Sequence, residues 1–305
     1  MGFANRTGGA RRWLAAAGLV LAVALSAELS HSLTNSGVGA APIWTANAFI
    51  ALGLLILPRT WAPGVVLSAF AVLVAATAHN DSLKPMALVF AGVNVMEAVL
   101  VAHLARIACG PTVRLTNLPR VARLLGFAVL PAAAVSALTA GLLQAGALGR
   151  PIGPYAVSWF AADALGLALI LPPLLLTRRP MRDFERPWWE HLFIYALLAA
   201  ATSVAFLYKA TPLHFILFPI ALFAAFRLGP RGAGFATLLL TAVTVGFITI
   251  IGGRGVNPGW SMAERIQAGQ ILVGAVFLSS LVTAMAVSDQ ARLKHVLVIG
   301  READR

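Results

Sequence analysis

The chain has 305 residues, 59% of them hydrophobic and only 11% charged, with a mean hydropathy of +0.85. Soluble domains carry about 25% charged residues, so this composition excludes a water-surrounded globule and calls for lipid as the solvent. The net charge of +12 does not signal nucleic-acid binding, because the basic residues flank apolar runs and do not cluster on one face among stacking aromatics.

A spanning helix needs roughly 17–25 mostly apolar residues. By that measure the sequence predicts an all-α polytopic bundle of about ten segments, at 13–33, 43–57, 62–78, 85–106, 121–147, 154–176, 188–208, 212–228, 231–252 and 264–289. The first follows Arg11-Arg12 and passes small residues at Ala24–Ala27, which resembles a signal peptide. Its apolar stretch outruns a normal signal core, so an uncleaved signal anchor is expected. The second segment is short, the third only just long enough, and Pro58-Arg59-Thr60-Trp61 separates them. Gly229-Pro230 alone separates the eighth from the ninth. Either pair reads equally as a tight hairpin, so eight is the fallback count. A faint similarity between Ala51–Thr77 and Ala221–Thr249 fits an old repeat or shared membrane composition equally well.

Cytoplasmic loops hold the excess of Lys and Arg. With ten spans and the N-terminus inside, the inner side receives Arg6, Arg11, Arg12, Arg59, Arg106, Arg114, Arg120, Arg123, Arg178, Arg179, Arg182, Arg186, Arg227, Arg231, Arg292, Lys294, Arg301 and Arg305. The outer side receives Lys84, Arg150, Lys209, Arg254 and Arg265. That is 18 against 5 of the 23 basic residues, which places both termini in the cytoplasm. The expected organisation is a basic N-terminus over 1–12, a membrane domain over 13–289, and a tail or linker over 290–305. The bacterial inner membrane is the expected location.

The lone Cys109 excludes an internal disulfide and a cysteine metal cluster and reads as a small interfacial residue. No phosphate loop, zinc-type His spacing or nucleophile elbow is present. No catalytic residue, cofactor or metal is assigned, and no enzymatic activity is expected of these residues.

Acids inside a membrane cost about 2.5–3.5 kcal/mol each on insertion scales and default to function. Glu28, Glu97 and Asp163 lie within apolar spans, with no Lys or Arg at comparable depth. Asn94 and Glu97 are three apart and share a helix face; Glu28 and His31 repeat that spacing. Trp159 lies four before Asp163 and Gly166 three after it. Trp44 and Asn47 stand at similar depth. These residues predict a polar cavity open to the periplasm that takes a small ligand or cation. Each also has a packing role open to it, since polar side chains hold membrane helices together. His31 and His214 read as interfacial. Trp13, Trp61, Trp188, Trp189 and Trp260 read as anchors in the aromatic belt. The last segment leaves the membrane near Asp289 and continues through Arg292, so it is the candidate output helix.

Three blocks carry a family likeness: Ile43-Trp44-Thr45-Ala46-Asn47-Ala48 through Pro58-Arg59-Thr60-Trp61-Ala62-Pro63-Gly64; Trp159-Phe160-Ala161-Ala162-Asp163-Ala164-Leu165-Gly166, ending in Pro172-Pro173; and Phe218-Pro219, then Arg227-Leu228-Gly229-Pro230-Arg231-Gly232-Ala233. With Asn94 and Glu97 they resemble the first class of bacterial membrane-associated sensor domains, the MASE type, from about residue 14 to 290. Thr45 and Ala48 depart from the usual first block, so helix packing near Trp44 is expected to differ. The resemblance implies a sensory input module ahead of a histidine kinase, PAS, GGDEF or EAL domain, and it assigns no ligand. No output domain is visible, so the chain reads as part of a longer protein or as a stand-alone sensor. Expected partners are the bilayer, an unknown small ligand or cation, a cytoplasmic output domain and a second copy in a homodimer. The rival reading is an ion or small-molecule transporter that uses the intramembrane acids.

Overall fold

A computed structural model of the chain describes residues 3–34, 41–79, 84–149, 151–177, 186–208, 211–250 and 259–303. Of the loop cations expected above, Arg150, Arg178, Arg179, Arg182, Lys209, Arg254 and Arg305 lie outside these residues. Among the described residues all regular structure is helical: α1 Phe3–Thr34, α2 Ala46–Ile56, α3 Ala62–Ala78, α4 Ala87–Cys109, α5 Leu118–Arg123, α6 Leu130–Leu148, α7 Ile152–Leu176, α8 Trp188–Leu207, α9 Leu217–Thr249 and α10 Met262–Ala303. The chain divides into two compact units, Met1–Val113 with Arg123–Leu171, and Arg114–Ala122 with Pro172–Arg305.

In the first unit α4 packs against α2, α3 and α6. Ala91, Ala98, Ala102 and Ala105 are buried on it, and side chains this small let helix backbones approach closely in lipid. α1 packs on α2 and α3. At one end Trp13 meets Trp61, ring centres 4.5 Å apart. At the other, Ser26 Oγ and Thr45 Oγ1 share a hydrogen bond of 2.7 Å, and Thr77 Oγ1 meets His31 Nε2 at 3.3 Å. α2 therefore runs antiparallel to α1 and α3, although only 11 of its residues are helical. A π-helical turn over Leu124–Val129 precedes Pro131 of α6; the proline has no N–H to give to a regular helical ladder, and a widened turn accommodates that loss.

In the second unit α9 packs against α8 and α10. It is sharply bent at Gly229, whose φ of 65° and ψ of −168° lie in a region that essentially only glycine occupies. Pro230 follows at once. The two arms lie side by side: Ala225 from the first and Ala233 from the second meet Ala284 of α10 in one buried cluster. Near the bend, Arg227 Nε donates to Glu190 Oε1 of α8 at 2.6 Å. At the far ends of the arms, Phe206 of α8 contacts both His214 and Phe247.

Among the described residues, eight helices are long and apolar enough to cross a membrane, which is the smaller of the two counts expected. The difference from ten falls at the two doubtful pairs. Segment 43–57 supplies only the short α2, and segments 212–228 and 231–252 are the arms of the single bent α9. Hydropathy registers apolar length; it does not register where a helix starts late or folds back. Several arginines of the expected inner loops do sit at helix C-termini, where cations offset the dipole. Arg106 donates to the Leu54 carbonyl of α2, and Arg231 to those of Leu176 and Thr177 at the end of α7.

Candidate functional site

The site lies within the first unit and begins with a stretch of backbone. Residues 41–45, ahead of α2, do not form a helix. They cross the face of α7, where Trp44 N donates to Ala162 O at 3.2 Å. A Cβ at Gly166 would stand 1.9 Å from Trp44 O, so only glycine admits this crossing. The expected gap in the Trp159–Asp163 stripe is filled by main chain.

That crossing seats Trp44 and Asn47 against α4. Trp44 Nε1 donates to Asn47 Oδ1 at 3.1 Å, and Asn47 Nδ2 donates to Glu97 Oε2 at 2.6 Å. The Glu97 carboxyl in turn interacts with that of Asp163 on α7. From the opposite side, Trp159 Nε1 donates to Ser136 Oγ of α6 at 3.1 Å. Ser136 keeps its own proton to give, and it lies beside both carboxyls. The arrangement is nearly symmetric, with an indole and a small polar side chain on each flank of the acid pair.

Both acids are deep: Glu97 is 0% and Asp163 2% exposed. Among the described residues neither is in an ion pair with a cation; the ion pairs present join His79 to Glu28 and Arg227 to Glu190. Glu97 Oε1 and Asp163 Oδ2 receive no hydrogen bond. Asn94 donates from Nδ2 to Phe90 O at 2.8 Å, which leaves its buried Oδ1 without a donor as well. Orphaned acceptors at this depth are costly.

A cavity of about 50 Å³ opens in front of Asp163 and Asn94. Its walls are aromatic, formed by His31, Trp44, Phe90, Tyr155 and Trp159, with Thr77 at the rim. His31, expected at the interface, packs edge-on against Trp44 with ring centres 5.1 Å apart.

The structure thus unites Trp44, Asn47, Asn94, Glu97, Trp159 and Asp163. It separates Glu28, whose side chain is 55% exposed beside His79 Nδ1 at 3.6 Å. The expectation that Glu28 shares the cavity is corrected: its carboxyl is exposed on α1 beside His79 and does not line the cavity. Sequence reasoning missed Ser136, although a single hydroxyl in the alanine-rich run Pro131–Ala137 was the available signal. On the candidate output helix, Asp289 Oδ2 of α10 accepts from Leu118 N at 3.0 Å, capping α5, while Arg292 is exposed. Trp13, Trp188, Trp189 and Trp260 are all exposed, as anchors in a lipid headgroup layer would be.

Searches of the curated proteins and of the solved structures return no significant match. A family model does match, that of MASE1, over residues 13–291. MASE1 is a sensory membrane domain of signalling proteins rather than a catalytic one, and a polytopic helical chain is in keeping with that role. This multi-pass membrane protein belongs to the MASE1 family.

Proposed function

We propose that this chain is the sensory input domain of a bacterial inner-membrane signalling protein of the histidine kinase or cyclic di-GMP type, that the cavity before Asp163 receives the cue, and that α10 carries the response. The observation behind the reading is the buried Glu97–Asp163 pair, with undonated acceptors on Asp163 and Asn94, both of which line an aromatic-walled cavity. Packing alone does not call for such a pair, because an apolar core of the same shape would avoid the desolvation cost.

The response has a covalent route. α4 carries Asn94 and Glu97, and the chain after it leads to Leu118, whose amide is held by Asp289 of α10. Movement of α4 on binding would pull on that capping bond and bias the position of α10, a small helix shift of the kind that signalling domains use. Cytoplasmic termini, a homodimer and a downstream output domain complete the proposal.

The test uses the reading frame beyond codon 305 and a pair of variants. A kinase, PAS, GGDEF or EAL domain in that frame supports the sensor. In the resulting full-length protein Asp163→Asn should lock or abolish the response while expression persists. Unchanged signalling in that variant sinks the site assignment. The transporter reading shares the same acids; flux across proteoliposomes that disappears in Asp163→Asn and Glu97→Gln would replace the sensor with it.

A further inference from the structure

We infer that the cavity before Asp163 is a binding site for a small primary ammonium group. The inference rests on the sensor reading above and names the chemical class of its cue.

The first constraint is charge. The two carboxyls hydrogen-bond to each other, which takes one proton between them, and no cation of the chain pairs with the charge the pair carries among the described residues. An occupant that is positively charged compensates a cost that the fold leaves standing.

The second is hydrogen bonding. Asp163 Oδ2 and Asn94 Oδ1 are buried acceptors without donors on residues that line the cavity, and Glu97 Oε1 is a third one on the acid paired with Asp163. Carboxylate and amide oxygens accept, and an ammonium presents three N–H donors and no acceptor. A quaternary ammonium brings charge without donors and leaves the acceptors of Asp163 and Asn94 orphaned. The Asn94 oxygen is independent of the acid pair. Asn94 is 3% exposed, lines the same cavity, and spends its own N–H on Phe90 O, so its carbonyl is left as an acceptor without a donor.

The third is shape. The cavity holds about 50 Å³, room for a few waters or one small ammonium group and little more, since a water needs about 10–15 Å³ on this scale. Its aromatic walls offer π-faces to a cation, an attraction of about 2 kcal/mol once both are desolvated. Those walls suit an alkylammonium better than a hard divalent ion, which takes six or more oxygen ligands. Among the described residues no group of three or more His, Cys, Asp or Glu side chains could hold a metal ion.

The experiment uses the full 305-residue chain in nanodiscs of phosphatidylcholine and phosphatidylglycerol. It is titrated at constant ionic strength with methylammonium, ethylammonium, tetramethylammonium, sodium or potassium chloride. Binding is read from tryptophan fluorescence and from thermal shift. Methylammonium should saturate, and tetramethylammonium should not. Asp163→Asn should weaken methylammonium by roughly tenfold or more, the scale of one lost charge-assisted hydrogen bond. Asn94→Leu should weaken it several-fold, and Glu28→Gln should leave it unchanged. Asn94→Leu also serves where Asp163→Asn lowers stability. No saturable methylammonium response overturns the inference. So does saturation by sodium or potassium alone, or saturation equal in wild type, Asp163→Asn and Asn94→Leu. Methylammonium binding that leaves hydrogen exchange at the Leu118 amide unchanged keeps the ligand class and removes the sensor reading, so the two failures are separable.

Discussion

Asn47 of α2 gives its Nδ2 proton to Glu97 Oε2 of α4 at 2.6 Å, with both side chains fully buried. This bond joins helices whose contact no local sequence pattern specifies. It also places a neutral amide, not a cation, against an intramembrane carboxyl.

Asn47→Ala removes that donor and also the acceptor of Trp44 Nε1. The expected cost is about 1–3 kcal/mol, the desolvation penalty of a buried group left unpaired. Thermal unfolding in detergent reads it as a lowered midpoint, accompanied by a shifted tryptophan emission as the indole loses its partner. An unchanged midpoint would mean that the bond contributes nothing net.

Gly166→Ala places a methyl group 1.9 Å from Trp44 O. The obstacle is main chain that is itself held to Ala162 O, so relief requires the crossing segment to move. Overpacking of this kind costs about 1–3 kcal/mol or more. The cavity should open or collapse, and cysteine accessibility of residues introduced at Ala41 would report which. Gly64→Ala is the control, because nothing lies within 4 Å of its added carbon.

Gly229→Ala attacks the bend of α9 through its backbone. With φ of 65° and ψ of −168°, an added side chain is strained by about 1–3 kcal/mol. The expected result is a loss of thermal stability larger than that of Gly246→Ala, a helical position with open space around it. Equal losses would remove the conformational argument.

Asp289→Ala frees the Leu118 amide. Loss of such a cap costs about 0.5–2 kcal/mol, and here the effect should be local. Hydrogen exchange at Leu118 should accelerate while the exchange of α8 and α9 stays constant. Asp289→Asn, which keeps an acceptor, should retain much of the protection.

The membrane character and most of the candidate site were legible in the sequence. Polar residues in apolar helices are few, and spacings of three or four set Asn94 with Glu97 and Trp159 with Asp163 on common faces. What the sequence did not carry was adjacency. Glu28 has the same chemistry as the other acids, yet its carboxyl is exposed beside His79 and does not line the cavity. Ser136 and His31 join the site because α6, α1 and the non-helical 41–45 segment converge there, a consequence of packing between distant parts of the chain. The count came to the fallback eight for a related reason: α2 begins only after the non-helical residues 41–45 have crossed α7, and α9 doubles back on one glycine.

The length of α10 carries a mechanical consequence. Its 42 residues make a rod of about 63 Å at 1.5 Å per residue, against a hydrocarbon layer of about 30 Å. About a third of such a rod, roughly 21 Å, follows Asp289. A tilt of about ten degrees would swing the far tip by roughly 4 Å relative to Asp289. A displacement too small to rearrange the bundle thereby arrives at Ala303 as a motion large enough to change what its neighbours touch.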